Sequence, residues 1–129
     1  MHGRTRSGFS YAIVRVVPRV ERGESFNAGV VLFCRQRGFL AAKVALDERR
    51  LAALAPDLSA DTVRAQLDAV VRIAEGDPEA GPIAGFPQSE RFGWLVAPAS
   101  TIIQPSPVHT GLCEEPARTL EELFTELVL

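Results

Sequence analysis

The chain has 129 residues, 47% of them hydrophobic, and 14 Lys+Arg against 16 Asp+Glu give a net charge of −2. That length sets one domain, with a core large enough to need neither a metal nor a disulfide. No run of about 18 apolar residues exists to cross a membrane as a helix. The charge is unevenly placed. Residues 1–50 hold ten basic and four acidic side chains (10 − 4 = +6), and residues 51–129 hold four and twelve (4 − 12 = −8).

Residues 1–8 are polar and glycine-rich and are expected to be a disordered tail ahead of a single domain at 9–129. No apolar stretch suited to a secretory signal follows them, so a cytoplasmic location is expected. A strand is predicted over 9–17. Tyr11, Ile13 and Val17 lie on one face and Ala12, Val14 and Val16 on the other, and Arg15 falls on the first face, where a charge must snorkel or find a carboxylate. Pro18 ends it.

The next stretch organises the rest. Arg22, Gly23 and Glu24 make a polar turn, and 26–34 is then a near-continuous apolar run rich in β-branched and aromatic residues. Such a run reads as a central strand covered on both faces. A hairpin at 35–38, with Gly38 free to take positive φ, leads into a third strand over 39–46 and completes a meander.

Asp47 is placed to cap a short helix carrying Leu51 and Leu54, which Pro56 ends. A longer helix is predicted over 59–75, because Val63, Leu67, Val70 and Ala74 form one apolar stripe and Gly76 follows as a C-terminal cap. Residues 76–88, with three prolines and three glycines, read as a surface loop. Ser89 is placed to cap a brief helical turn over 90–95. A short strand is expected at 101–104, then an extended segment held by Pro105 and Pro107. Pro116 suits the first position of a last helix whose apolar face is Leu120, Leu123, Phe124 and Leu127. The order βββααβ(β)α is α+β: an antiparallel sheet of three to five strands packed with two or three helices.

Cys34 and Cys113 show no CxxC spacing, and a reduced pair is the better reading. Two polar clusters are candidates for chemistry. The first is Arg22, Glu24 and Asn27, with Arg15 and Arg19 near. It serves either as a binding site or as a salt-bridged corner pinned by an amide. The second is Gln104, Ser106, His109 and Thr110 in a proline-held loop. There His109 is either a general base, with Glu24 as its orienter or as a substrate ligand, or a structural group bonded to backbone. No second histidine or cysteine stands at metal-ligand spacing, and there is no Gly-rich phosphate loop, so no metal or cofactor is expected. Phe86, Phe92 and Trp94 could stack on bases but read more readily as core or loop anchors. The basic half is either a nucleic-acid surface or a face that meets the acidic helices of the same domain.

Three stretches carry a family resemblance: Tyr11-Ala12-Ile13-Val14-Arg15-Val16-Val17-Pro18, Arg22 through Leu32 with its Phe26-Asn27-Ala28-Gly29 core, and Gln104-Pro105-Ser106-Pro107-Val108-His109-Thr110-Gly111-Leu112. From about residue 9 to 128 the chain resembles the bacterial DUF3037 family of small single-domain proteins. Ala28 stands where valine is expected in that family, a change of packing rather than chemistry. The family has no established activity and no assigned catalytic residues, so the resemblance places no role on any residue. It implies an accessory protein working beside a kinase-like toxin protein. The leading functional expectation is therefore a binding or accessory module with a protein partner. The alternatives are a hydrolase or nuclease using His109 with Glu24, and a nucleic-acid binder.

Overall fold

The computed structural model describes residues 5–99 and 101–129. Five strands form one antiparallel sheet: β1 (Ser7–Val16), β2 (Phe26–Cys34), β3 (Phe39–Val44), β4 (Ile103–Pro105) and β5 (His109–Cys113). Four helices accompany them: α1 (Glu48–Leu54), α2 (Ala60–Glu75), α3 (Gln88–Leu95) and α4 (Pro116–Leu127). The class is α+β. The strand order is β3-β2-β1-β4, and β5 shares the far side of β1 with β4. β5 opposes Ser7 through Tyr11, and β4 opposes Val14 through Val16.

The apolar run 26–34 lies mid-sheet and is covered on both faces. On one face Ala12, Val14, Val16, Phe26, Ala28 and Val31 pack against Val63, Leu67 and Ala74 of α2 and Phe92 of α3. On the other, Val30, Leu32 and Cys34 meet Leu120 of α4 with Cys113 of β5. The result is a helix–sheet–helix sandwich. Truncating a fully enclosed member such as Leu67 to Ala would cost ~2–5 kcal/mol.

A β-bulge sets which residues of β2 face which layer. Val14 pairs with Gly29 but Arg15 pairs with Asn27, leaving Ala28 as the extra residue. Side chains alternate along a strand, so one inserted residue changes their phase. Phe26 and Ala28 therefore point to the α2 side, and Asn27 points to the α4 side.

Local chemistry explains the helix ends. The Asp47 carboxylate accepts hydrogen bonds from the Arg49 and Arg50 N–H groups, and the Ser59 hydroxyl accepts from the Thr62 N–H. Gly76, at φ 75°, closes α2 in the left-handed region. Pro116 occupies the first turn of α4, where its missing N–H costs nothing.

Several expectations are corrected. β1 begins at Ser7, two residues early, because Ser7 is buried opposite Cys113 and its hydroxyl accepts from the Arg37 guanidinium. The expected tail thus loses Ser7 and Gly8 to the sheet, and residues 1–4 lie outside the described residues. β3 ends at Val44 rather than 46, and β4 sits two residues later than its predicted start. α3 starts at Gln88 behind Pro87, so Ser89 lies inside the helix and does not cap it. The proline-rich 76–88 segment holds two 3-10 turns, Pro78–Ala80 and Pro82–Gly85. His109 begins a strand and is not held in a loop.

Candidate functional site

The first polar cluster separates into two environments. Arg22 and Glu24 form an ion pair of 2.6 Å at the corner before β2, with side chains 63% and 42% exposed. A pair so open to solvent contributes at most about 1 kcal/mol. Arg19 turns away to Asp57 at 2.8 Å. Asn27 donates from Nδ2 to the Leu127 carbonyl at 3.0 Å, so it holds the end of α4. Arg15 lies beside Asn27 in the sheet and donates from Nη2 to the Pro105 carbonyl at 3.0 Å. Its Nε is buried without a hydrogen-bond partner.

The second cluster is largely consumed by backbone. The Ser106 hydroxyl accepts from the Ile13 N–H at 2.8 Å and donates to the Pro107 carbonyl at 2.9 Å. The Ser106 N–H donates to the Ile13 carbonyl at 2.8 Å. Ser106 thereby bridges the gap between β4 and β5, where the ladder would otherwise lapse. Gln104 donates to the Thr101 carbonyl at 2.9 Å. Thr110 is exposed opposite Ser10. His109 is exposed, with its ring 5.2 Å from that of Tyr11.

The register does not bring His109 and Glu24 together. His109 sits opposite Tyr11, and Glu24 precedes Phe26, which sits opposite Val16 on the other side of β1. Five strand residues separate those levels, a run of about 16 Å. A general base and its orienting carboxylate must lie within hydrogen-bond reach.

Other chemistries find little footing. Cys34 lies on β2 and Cys113 on β5, on opposite sides of β1. Their thiols nonetheless approach each other in the buried cluster on the α4 face. Both cysteines are free and buried. Burial, and then the neighbouring Cys34, push the Cys113 thiol above its ordinary range, which keeps it protonated and a poor nucleophile. Among the described residues no group of three or more His, Cys, Asp or Glu is placed to hold a metal ion, and no helix is long and apolar enough to cross a membrane. Four cations of the basic half have carboxylate partners: Arg19 with Asp57, Arg22 with Glu24, Lys43 with Glu121 at 2.5 Å, and Arg50 with Asp47.

What remains is a hollow that sequence reasoning did not single out as a site. It lies on the α2 face of the sheet, between α2, the end of α3 and the chain leading into β4, with a volume of about 450 Å³. Val14 forms its floor, Val70 and Ile73 one wall, and Trp94, Leu95 and Ile103 the other. The wall is completed by Ala97, Pro98 and Ala99, whose short side chains leave the groove open. Trp94 is 53% exposed at the rim. A smaller hollow of about 340 Å³ holds Arg15 and Gln104. Pro98, Ala99 and Pro105 line both, so the two meet at the β4 edge. The available signal was the α2 stripe: Val70 belongs to it by periodicity but is only half-buried, since it faces the groove.

A family model described as "Protein of unknown function (DUF3037)" matches residues 11–128. The chain belongs to the DUF3037 family. The matched region takes in the groove, both polar clusters and every element except the first residues of β1. No curated protein and no solved structure matches this DUF3037 chain. Membership therefore brings no activity with it, and the reading of function rests on the geometry.

Proposed function

We propose that this DUF3037 protein is a binding module that works with a protein partner and takes an apolar segment of that partner into the groove beside Trp94. The half-exposed Trp94, set on the rim of a hollow that is apolar apart from Gln66 and Thr101, carries the reading. Tryptophan left open to water over an apolar cleft is the side chain most often found at the energetic centre of protein interfaces, and contiguous apolar surface of this kind marks interaction sites. The polar clusters, by contrast, are occupied by backbone partners or open to solvent. A kinase-like protein is the first partner to try, since the family resemblance suggests an accessory role beside one. The alternative of a hydrolase or nuclease has no support in the spacing of His109 and Glu24, and the apolar lining of the groove favours a protein segment over nucleic acid.

The test is affinity capture from the source cells with the wild-type chain and with Trp94→Arg, Val70→Glu and His109→Ala. A partner recovered by wild type and by His109→Ala, but lost from both groove variants while their circular dichroism is unchanged, supports the assignment. A partner kept by both groove variants, or no partner at all under gentle conditions, contradicts it.

A further inference from the structure

The β4–β5 side of the sheet ends in a strand edge built for another strand. Among the described residues β5 pairs with β1 alone, which leaves its other side open. Its residues alternate in where their backbone groups point. Ile13 directs both its N–H and its carbonyl to this side of β1, where Ser106 meets them. Counting back by twos along an unbroken antiparallel register, Tyr11, Phe9 and Ser7 do the same, and they face His109, Gly111 and Cys113. Val108, Thr110 and Leu112 therefore direct their N–H and carbonyl groups outward.

The side chains of these same three residues share one face, and two of them are large and open: Val108 is 44% exposed and Leu112 is 67% exposed. No Lys, Arg, Asp or Glu occurs from Pro105 to Cys113. Soluble proteins ordinarily guard such an edge with charge, a bulge or a covering element. The opposite edge has that guard: β3 carries Lys43, held by Glu121 of α4.

We infer that β5 pairs antiparallel with β5 of a second copy of this chain, across a two-fold axis at Thr110. This register makes the edge complementary to itself. Thr110 lies opposite Thr110 of the second copy, and Val108 lies opposite Leu112 in both directions. All three pairs are of the hydrogen-bonded kind, giving roughly six main-chain bonds. Each exposed Leu112 gains a Val108 as its cross-strand neighbour, a pairing that stabilises sheets. A strand from an unrelated protein could use the same backbone groups, but the matched Val108 and Leu112 at equal distances from Thr110 select a copy of this chain. The dimer has a continuous sheet and leaves the Trp94 groove, on the α2 flank, to be tested separately.

Sedimentation and cross-linking decide the matter. Wild type sediments as a dimer at high concentration, whereas Leu112→Lys and, as a second variant, Thr110→Pro sediment as monomers with unchanged circular dichroism. Both match the wild-type melting temperature at dilutions where wild type is itself dissociated. Proline is tolerated at position 110 because the Thr110 N–H points away from β1 and has no backbone partner among the described residues. Under mild oxidation Thr110→Cys forms a disulfide-linked dimer, its Cα separation being about 5.5 Å in this register. His109→Cys does not, because its two copies lie about 8 Å apart. A monomeric wild type, a dimer that survives both edge variants, or linkage through position 109 rather than 110 would overturn the proposal. So would a wild type that stays monomeric and extends its edge only with a foreign peptide.

Discussion

Asn27 and Leu127 lie 100 residues apart in sequence, and the Asn27 side-chain amide donates to the Leu127 carbonyl at 3.0 Å. The bond ties the start of the central strand to the last turn of α4. A helix leaves its final carbonyls without partners inside the helix, and Asn27 satisfies one of them. It can do so because the bulge at Ala28 turns it to the α4 side. Asn27→Ala is expected to lower stability by about 1 kcal/mol and to speed amide exchange in the last turn of α4 while leaving α2 unchanged. Uniform loss of protection across both helices would contradict this local role.

Gly29 follows the bulge and lies opposite Val44 of β3. A Cβ at this position would stand 2.7 Å from the Lys43 carbonyl oxygen and 2.7 Å from Cγ1 of Val44. The first of those is backbone and cannot swing aside. Gly29→Ala should therefore destabilise by at least ~1–3 kcal/mol, the range for forced overpacking, as read by denaturant midpoint. Gly93, on the surface of α3, has nothing within 4 Å. Gly93→Ala should stabilise by roughly 0.5–1 kcal/mol through helix propensity.

Ser106 supplies the hydroxyl that accepts the Ile13 N–H. Ser106→Ala leaves that donor, inside the sheet, without its partner. The expected cost is about 1–3 kcal/mol, with faster exchange at Ile13 and at the β4 and β5 amides. Stability equal to wild type would show that water replaces the hydroxyl there.

Asp77 binds the Arg72 guanidinium at 2.9 Å and accepts from the Glu79 N–H at 2.9 Å. The Arg72 hydrogen bond, with the Glu79 N–H second, holds its carboxyl below the usual carboxylate range. A group whose folded pKa is depressed stabilises the fold above its unfolded pKa and loses that contribution as pH falls through the folded value. The melting-temperature gap between wild type and Asp77→Asn should be widest near neutrality and shrink below about pH 4. A gap independent of pH would rule out the charge as its cause.

The architecture was legible where composition and periodicity agreed. The run 26–34 is apolar at nearly every position because both of its faces are covered. Val63, Leu67 and Ala74 recur on a helical period because only one face of α2 is. Caps at Asp47 and Gly76 could be placed for the same local reasons, whereas Ser59, expected inside α2, caps it. The sites were not legible in this way. Ser106 and Asn27 look like functional polar residues in a sequence, since their backbone partners, Ile13 and Leu127, lie 93 and 100 residues away. His109 and Glu24 could be paired on paper because neither residue reveals its register; the sheet sets them at different levels of β1. The groove was invisible for the opposite reason. Its walls are mostly ordinary apolar residues, and only the packing of α3 against α2 shows that Trp94 is left half outside the core.

Trp94 is the one tryptophan in the chain, so its 5-fluoro derivative gives a single fluorine resonance that reports directly on the groove. On addition of the captured partner, unlabelled, that resonance should shift and lose its solvent isotope effect, as the indole passes from water into the interface. A resonance that keeps both its position and its solvent sensitivity while the partner is bound would place the interaction elsewhere and contradict the account.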